Sequence, residues 1–111
     1  MDNAKLWRIA RIASVGWSVL IVTNEMADVR VILDQIVPLV DEGSIVHRAL
    51  GREGIDLSDG GRIRLVPLSR QDGRGWDVDL LVVAPANYSK AQLSTIGEMA
   101  VSSSPNFCMV G

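Results

Sequence analysis

Apolar residues recur at three- and four-residue spacing in three places along this chain, and the stretches between are alternating or continuously apolar. From Ala4 to about Val15, Leu6, Ile9, Ala10 and Ala13 fall on one face, and Lys5, Arg8 and Arg11 occupy much of the rest. This spacing predicts an amphipathic helix that Gly16 ends. Trp17 to Thr23 then reads as a mostly apolar strand, buried on both faces. Thr23 or Asn24 is expected to cap a second helix, with Glu25 and Asp28 in its first turn where the positive end of the dipole favours them. Val29, Leu33, Ile36, Val37 and Val40 form its inner face, and Pro38 should kink or end it.

The middle of the chain changes period. Ile45 to Leu50 predicts a short strand, and Gly51 to Gly54 a break. Ile55-Asp56-Leu57 and Arg62-Ile63-Arg64-Leu65 alternate on either side of Ser58-Asp59-Gly60-Gly61, whose Asp and Gly residues suit a turn, so a β-hairpin is expected. Ser69 to Gly75 is a loop by composition. Asp77 to Pro85 is a strand-length run with an apolar interior, opening on carboxylates and closing on proline, and reads as a central, fully buried strand. Ser89-Lys90-Ala91-Gln92 has the form of a capping box, with Tyr88 and Leu93 placed for a hydrophobic staple. Leu93, Ile96 and Ala100 define the inner face of the helix that follows, which ends in Ser102 to Pro105. Asn106 to Gly111 is a last strand. Strands alternating with helices predict one α/β domain over residues 1–111, with a mostly parallel sheet, flanking helices and one hairpin.

Composition narrows the chemistry. Of 111 residues, 48% are apolar and only 5% aromatic, which predicts an aliphatic core. A formal charge of −2 provides no global attraction for nucleic acid or an acidic membrane, so such binding would need a local patch. The nine arginines are scattered, which is the pattern of a solvated surface. One cysteine, Cys108, excludes an internal disulfide, and with the single His47 it cannot build a Cys/His zinc cluster. A reducing compartment follows. No secretory leader or membrane-length apolar run is visible, so the default location is the cytoplasm. Ser102, Ser103 and Ser104 lack a nucleophile-elbow pattern, and His47 reads as a strand residue with a solvated or hydrogen-bonded ring. Cys108, in an apolar strand, reads as an inert core thiol, and Met99 and Met109 as core filler.

The order of junctions resembles the ATPase core of P-loop NTPases, most specifically that of phage terminase large subunits and helicase-like proteins. Trp17 to Asn24 is similar to the strand after the first helix. Gly60-Gly61-Arg62-Ile63-Arg64-Leu65 is similar to the Gly-Ser-x-Ile hairpin, and Gly73-Arg74-Gly75 to the Arg-Gly step before the Walker B strand. Asp77 to Ala84 is similar to the Walker B strand, and Asn106 to Gly111 to the strand ending in Gly-Thr. The resemblance implies an incomplete P-loop NTPase-like core that opens in mid-domain and lacks the phosphate-loop strand. Asn3-Ala4-Lys5-Leu6 stands where the family has the Gly-Lys-Ser/Thr end of that loop, and only Lys5 is kept. Ala84 and Pro85 stand where the family has Asp-Glu, one carboxylate for magnesium and one for the attacking water. Asp77 and Asp79 lie at the other end of the strand, and ligands in open α/β sheets bind at the carboxyl ends.

The resemblance therefore implies ancestry without the ancestral activity: no catalytic residues, no cofactor and no metal. The leading expectation is a non-catalytic, phage or prophage interaction protein, in the host cytoplasm if phage-encoded. It would act through a protein partner or as a homo-oligomer, by way of the sheet edge that the missing strand exposes. The alternative is a nucleic-acid-binding module using Arg8, Arg11, Arg62, Arg64 and Arg74. A residual nucleotide binder is the third reading.

Overall fold

The computed structural model describes residues 1–49, 51–70, 77–103, 105 and 107–110. Its elements run α1 (Asn3–Ala13), β1 (Ser18–Thr23), α2 (Met26–Ile36), β2 (Ile45–His47), β3 (Gly54–Asp56), β4 (Arg62–Pro67), β5 (Leu80–Val83), α3 (Lys90–Ser103) and β6 (Phe107–Val110). The strands form one mixed sheet in the order β2-β3-β4-β1-β5-β6. β4, β1, β5 and β6 are parallel, and β3 runs antiparallel to both β2 and β4. The chain is thus an α/β protein with a six-stranded mixed sheet and three helices among its described residues.

Period-two alternation distributes the side chains of this sheet between two cores. On one face Val19, Ile21, Ile55, Ile63, Leu65, Leu80 and Val82 meet Leu6, Ile9, Ala10 and Ala13 of α1 and Val29, Ile32, Leu33 and Ile36 of α2. On the other, Leu20, Val22, Val66 and Leu81 meet Met99 of α3, with Ile96 and Ala100 at the margin. Strands β1 and β5 lie inside the sheet and between helices, which is why both read as apolar runs without alternation. The middle position falls to β1, flanked by β4 and β5; the Asp77 run stands one place nearer the β6 edge.

Several local signals act as read. The turn between β3 and β4 closes with Gly60 at φ +96° and the Leu57 amide on the Gly61 carbonyl at 2.8 Å. α2 stops at Ile36, and Pro38 sits in a 3-10 turn over Val37–Leu39. The Ser89–Gln92 box is reciprocal: the Gln92 amide donates to Ser89 Oγ at 3.1 Å, and the Ser89 amide to Gln92 Oε1 at 2.8 Å.

Other expectations are corrected. Glu25, not Thr23 or Asn24, caps α2, exchanging side-chain and backbone bonds with Asp28. Thr23 is still inside β1, where its hydroxyl lies 3.0 Å from the Glu25 carbonyl. Leu93 is 54% exposed and Met99 is fully buried, because α3 meets the sheet mainly through its second half. Cys108 is exposed rather than a core thiol, since β6 is an edge strand and its register with Leu81 places Cys108 at the rim of the face that carries α3. The Asp77 strand begins at Leu80: Asp77 is exposed, and the Asp79 carboxylate accepts the Ser18 amide at 2.9 Å as a rim partner. The Gly73-Arg74-Gly75 step, Leu50, Asn106 and Gly111 lie outside the described residues.

Candidate functional site

The carboxyl ends of β1 and β5 are where an open α/β sheet would bind a ligand, because the chain leaves these two neighbours for opposite faces. α2 follows β1 onto one face and α3 follows β5 onto the other. The crest between them is bridged by the protein itself. Gln92 Nε2 donates to Asn24 Oδ1 at 2.6 Å across the two loops, and the Tyr88 hydroxyl donates to the Ala84 carbonyl. Burial, reinforced by the charge of Asp28, pushes the Tyr88 hydroxyl pKa up, so it stays a neutral donor. Ala84 and Pro85 border only a small hollow of about 110 Å³, shared with Met1, Asp28, Val31 and Ile32.

The candidate arginines do not converge. Arg8 and Arg11 are exposed on α1, with the Arg11 guanidinium 5.0 Å from the Trp7 ring centroid. Arg62 and Arg64 alternate with the buried Ile63 and Leu65 and so project from the opposite face of the sheet. The sheet separates the two pairs. Arg74 lies outside the described residues. Arg62 and Arg64 share a surface, as their period-two spacing predicts, and so do Arg8 and Arg11, one helical turn apart.

Arg64 belongs to a polar cluster on the part of that face beyond α3. Asp56 accepts from Arg64 Nη2 at 2.9 Å and lies 2.8 Å from His47 Nε2, bridging β2 and β4 from β3. The hydrogen bond from His47, and after it those of Arg64, hold the Asp56 carboxyl below the usual carboxylate range against an opposing effect of burial. With Gly51 and Arg52 these groups line a hollow of about 340 Å³. The hydrogen-bonded ring expected for His47 is present.

An apolar groove lies at the other edge. α1 and α2 pack over β4, β1 and β5 and leave the same face of β6 uncovered. Ile12 and Val15 at the end of α1, with Trp17, Leu80, Phe107, Cys108 and Met109, line a groove of about 480 Å³. Phe107 is 60% exposed, and its ring stacks on Trp17 with centroids 5.6 Å apart and planes 14° from parallel. Between Met99 and Val110 no residue is charged. Edge strands are ordinarily blunted with charge, proline or a bulge, and β6 carries no charge or proline within its span. The sequence shows this uncharged stretch, but which strand would be an edge is invisible without the pairing order.

Among the described residues, no helix is long and apolar enough to cross a membrane, and no group of three His, Cys, Asp or Glu residues could hold a metal ion. No family model, curated protein or solved structure matches the chain. The α/β class therefore rests on the fold itself, and the functional reading on the two surfaces just described.

Proposed function

We propose that this chain is a non-catalytic interaction protein that self-associates through β6, built on a P-loop NTPase-like core that has lost its catalytic ends. The observation that carries the reading is the uncharged β6 edge with an apolar groove beside it, lined by Trp17 and the exposed Phe107. A second copy suits this edge. Antiparallel pairing of β6 with its two-fold mate sets one uncharged strand against another, satisfies the free backbone groups of both, and closes the assembly. Pairing of β6 with β2 would instead be open-ended, and β2 offers three residues with His47 and Arg48 at its end.

The ancestral part of the proposal is supported by the parallel pairing of β1 with β5 and by Ala84 and Pro85 at the carboxyl end of β5. Neither side chain can bind magnesium or polarise water. A phage or prophage origin accords with the terminase-like order of junctions. Nucleic-acid binding by the arginines is the weaker reading, since Arg8 and Arg11 are separated from Arg62 and Arg64 by the sheet.

Light scattering during size-exclusion chromatography tests the proposal. The expected mass is twice 12.0 kDa, with amide exchange slowed at Phe107 to Val110 as concentration rises. A monomer at roughly tens of micromolar, a range in which a specific dimer is populated, refutes it.

A further inference from the structure

We infer that the hollow lined by His47, Gly51, Arg52, Asp56 and Arg64 is a binding site for the phosphate group of a small polar phosphate monoester. Strand register builds it. His47, Gly54 and Arg64 stand opposite one another in a single row across β2, β3 and β4, on the face away from α1 and α2. The middle position has no side chain, and Arg64 lies across it: a Cβ on Gly54 would come within 2.2 Å of the Ile63 carbonyl oxygen and 3.0 Å of Arg64 Nη1. The row therefore has two polar side chains, with Arg64 laid flat over the bare backbone between them.

Asp56, one row along the sheet, reaches diagonally to both side chains, at 2.8 Å to His47 and 2.9 Å to Arg64. Arg64 Nη1 is held a second time, by the Ile63 carbonyl at 3.3 Å. These bonds orient the guanidinium and the imidazole before any ligand arrives, which lowers the ordering cost of binding. Arg52 enters from the loop between β2 and β3, where its amide donates to the Ala49 carbonyl at 2.9 Å, and its exposed guanidinium makes no hydrogen bond or ion pair among the described residues. Glu53 beside it is buried, with its carboxylate on the Gly51 amide at 2.7 Å, and is not part of the wall.

Two guanidinium groups thus stand against the carboxylates of Asp56, engaged with Arg64 and His47, and Glu53, engaged with the Gly51 amide, which leaves the Arg52 guanidinium as the cation without a carboxylate partner among the described residues. A concave, preorganised surface with one unengaged guanidinium beside a second that is already oriented suits an oxyanion, and phosphate above others, because its oxygens can accept from guanidinium forks. At about 340 Å³ the hollow is larger than a phosphate ion and lies in the range of small-molecule sites. Gly51 and the alkyl stems of the two arginines complete the lining, which leaves room and an apolar surface for a small body such as a pentose beside the phosphate. Among the described residues no Trp, Tyr or Phe lines it as a stacking platform of the kind that single-stranded nucleic acid uses. The inference does not depend on whether β6 pairs with a second copy.

Amide chemical-shift titration with inorganic phosphate, ribose 5-phosphate and ribose tests it. Ribose 5-phosphate should shift His47, Gly51 and Gly54 and bind more tightly than inorganic phosphate, and ribose should shift none of them. Arg52→Ala and Arg52→Gln, both on an exposed loop, should weaken binding on the order of tenfold, the expected loss of a charge-assisted hydrogen bond. Arg62→Ala, on the same face but outside the hollow, and Arg30→Ala on α2 should leave it unchanged. Equal weakening by Arg62→Ala and Arg52→Ala would show a diffuse charged surface and overturn the site. Equal affinity for inorganic phosphate and ribose 5-phosphate would overturn the monoester assignment, and no shift at millimolar ligand would overturn both.

Discussion

Phe107→Ala separates the packing of one protomer from the association of two. In the protomer the ring is 60% exposed and its buried part rests on Trp17. A side chain of this kind presents about 200 Å² in all, so about 120 Å² remains for a second copy to cover and about 80 Å² is already buried. At about 25 cal/mol per Å² these correspond to about 3 and about 2 kcal/mol. A two-fold interface contains the ring twice, which sets an upper limit of about 6 kcal/mol per dimer. Alanine keeps part of that contact and side-chain ordering opposes the rest, so about half is expected, a rise in Kd on the order of 100-fold. Sedimentation over a concentration series measures that Kd, and urea unfolding of dilute protein measures the loss of about 2 kcal/mol within the protomer. If Phe107→Ala loses protomer stability while the wild-type and variant Kd values agree, the ring serves only its own chain, and the β6 reasoning fails.

Three further outcomes follow from single features. Gly61→Ala should cost about 2 kcal/mol or more in urea unfolding, because its Cβ would fall 1.8 Å from the Ala13 carbonyl oxygen, where the end of α1 presses on the start of β4; a neutral result would mean that α1 is not seated there. Ser89→Ala should cost about 1 kcal/mol by the same measurement, and Gln92→Ala should cost more than the cap alone, since Gln92 also ties α3 to Asn24. Asp56 is held below its usual pKa, first by His47 and then by Arg64, so its contribution is complete above the unfolded carboxylate value and is lost as pH falls through the folded one. Unfolding free energy should therefore fall below about pH 4, and Asp56→Asn should flatten that fall; an unchanged slope would remove Asp56 from the acid response.

Much of the architecture was legible because it is written locally. Leu6, Ile9, Ala10 and Ala13 repeat at helical spacing, and Ser89 and Gln92 are three residues apart in one turn of chain. The Gly-rich turn between Asp56 and Arg62 needs no distant residue to act. The misreadings came where a neighbour in space decides. Glu25 displaced Thr23 and Asn24 as cap because β1 extends through Thr23 to pair with Pro67. Leu93 faced solvent because α3 is anchored by Met99 rather than by its first turn. Cys108 was exposed because β6 has one neighbour instead of two.

The sequence alone determined the alternation of helices and strands, the hairpin and the aliphatic core. It did so because periodicity, caps and residue chemistry act over a few residues. The strand order was decided only by the tertiary structure: β1 against β5, β6 at an edge, and His47, Gly54 and Arg64 in one row. These pairings join residues tens of positions apart, and local pattern carries no register between them. The Asp77 run illustrates both halves. Its composition shows a buried strand, and only the pairing order, with β1 on one side and β6 on the other, places a free edge at Phe107 and its neighbours.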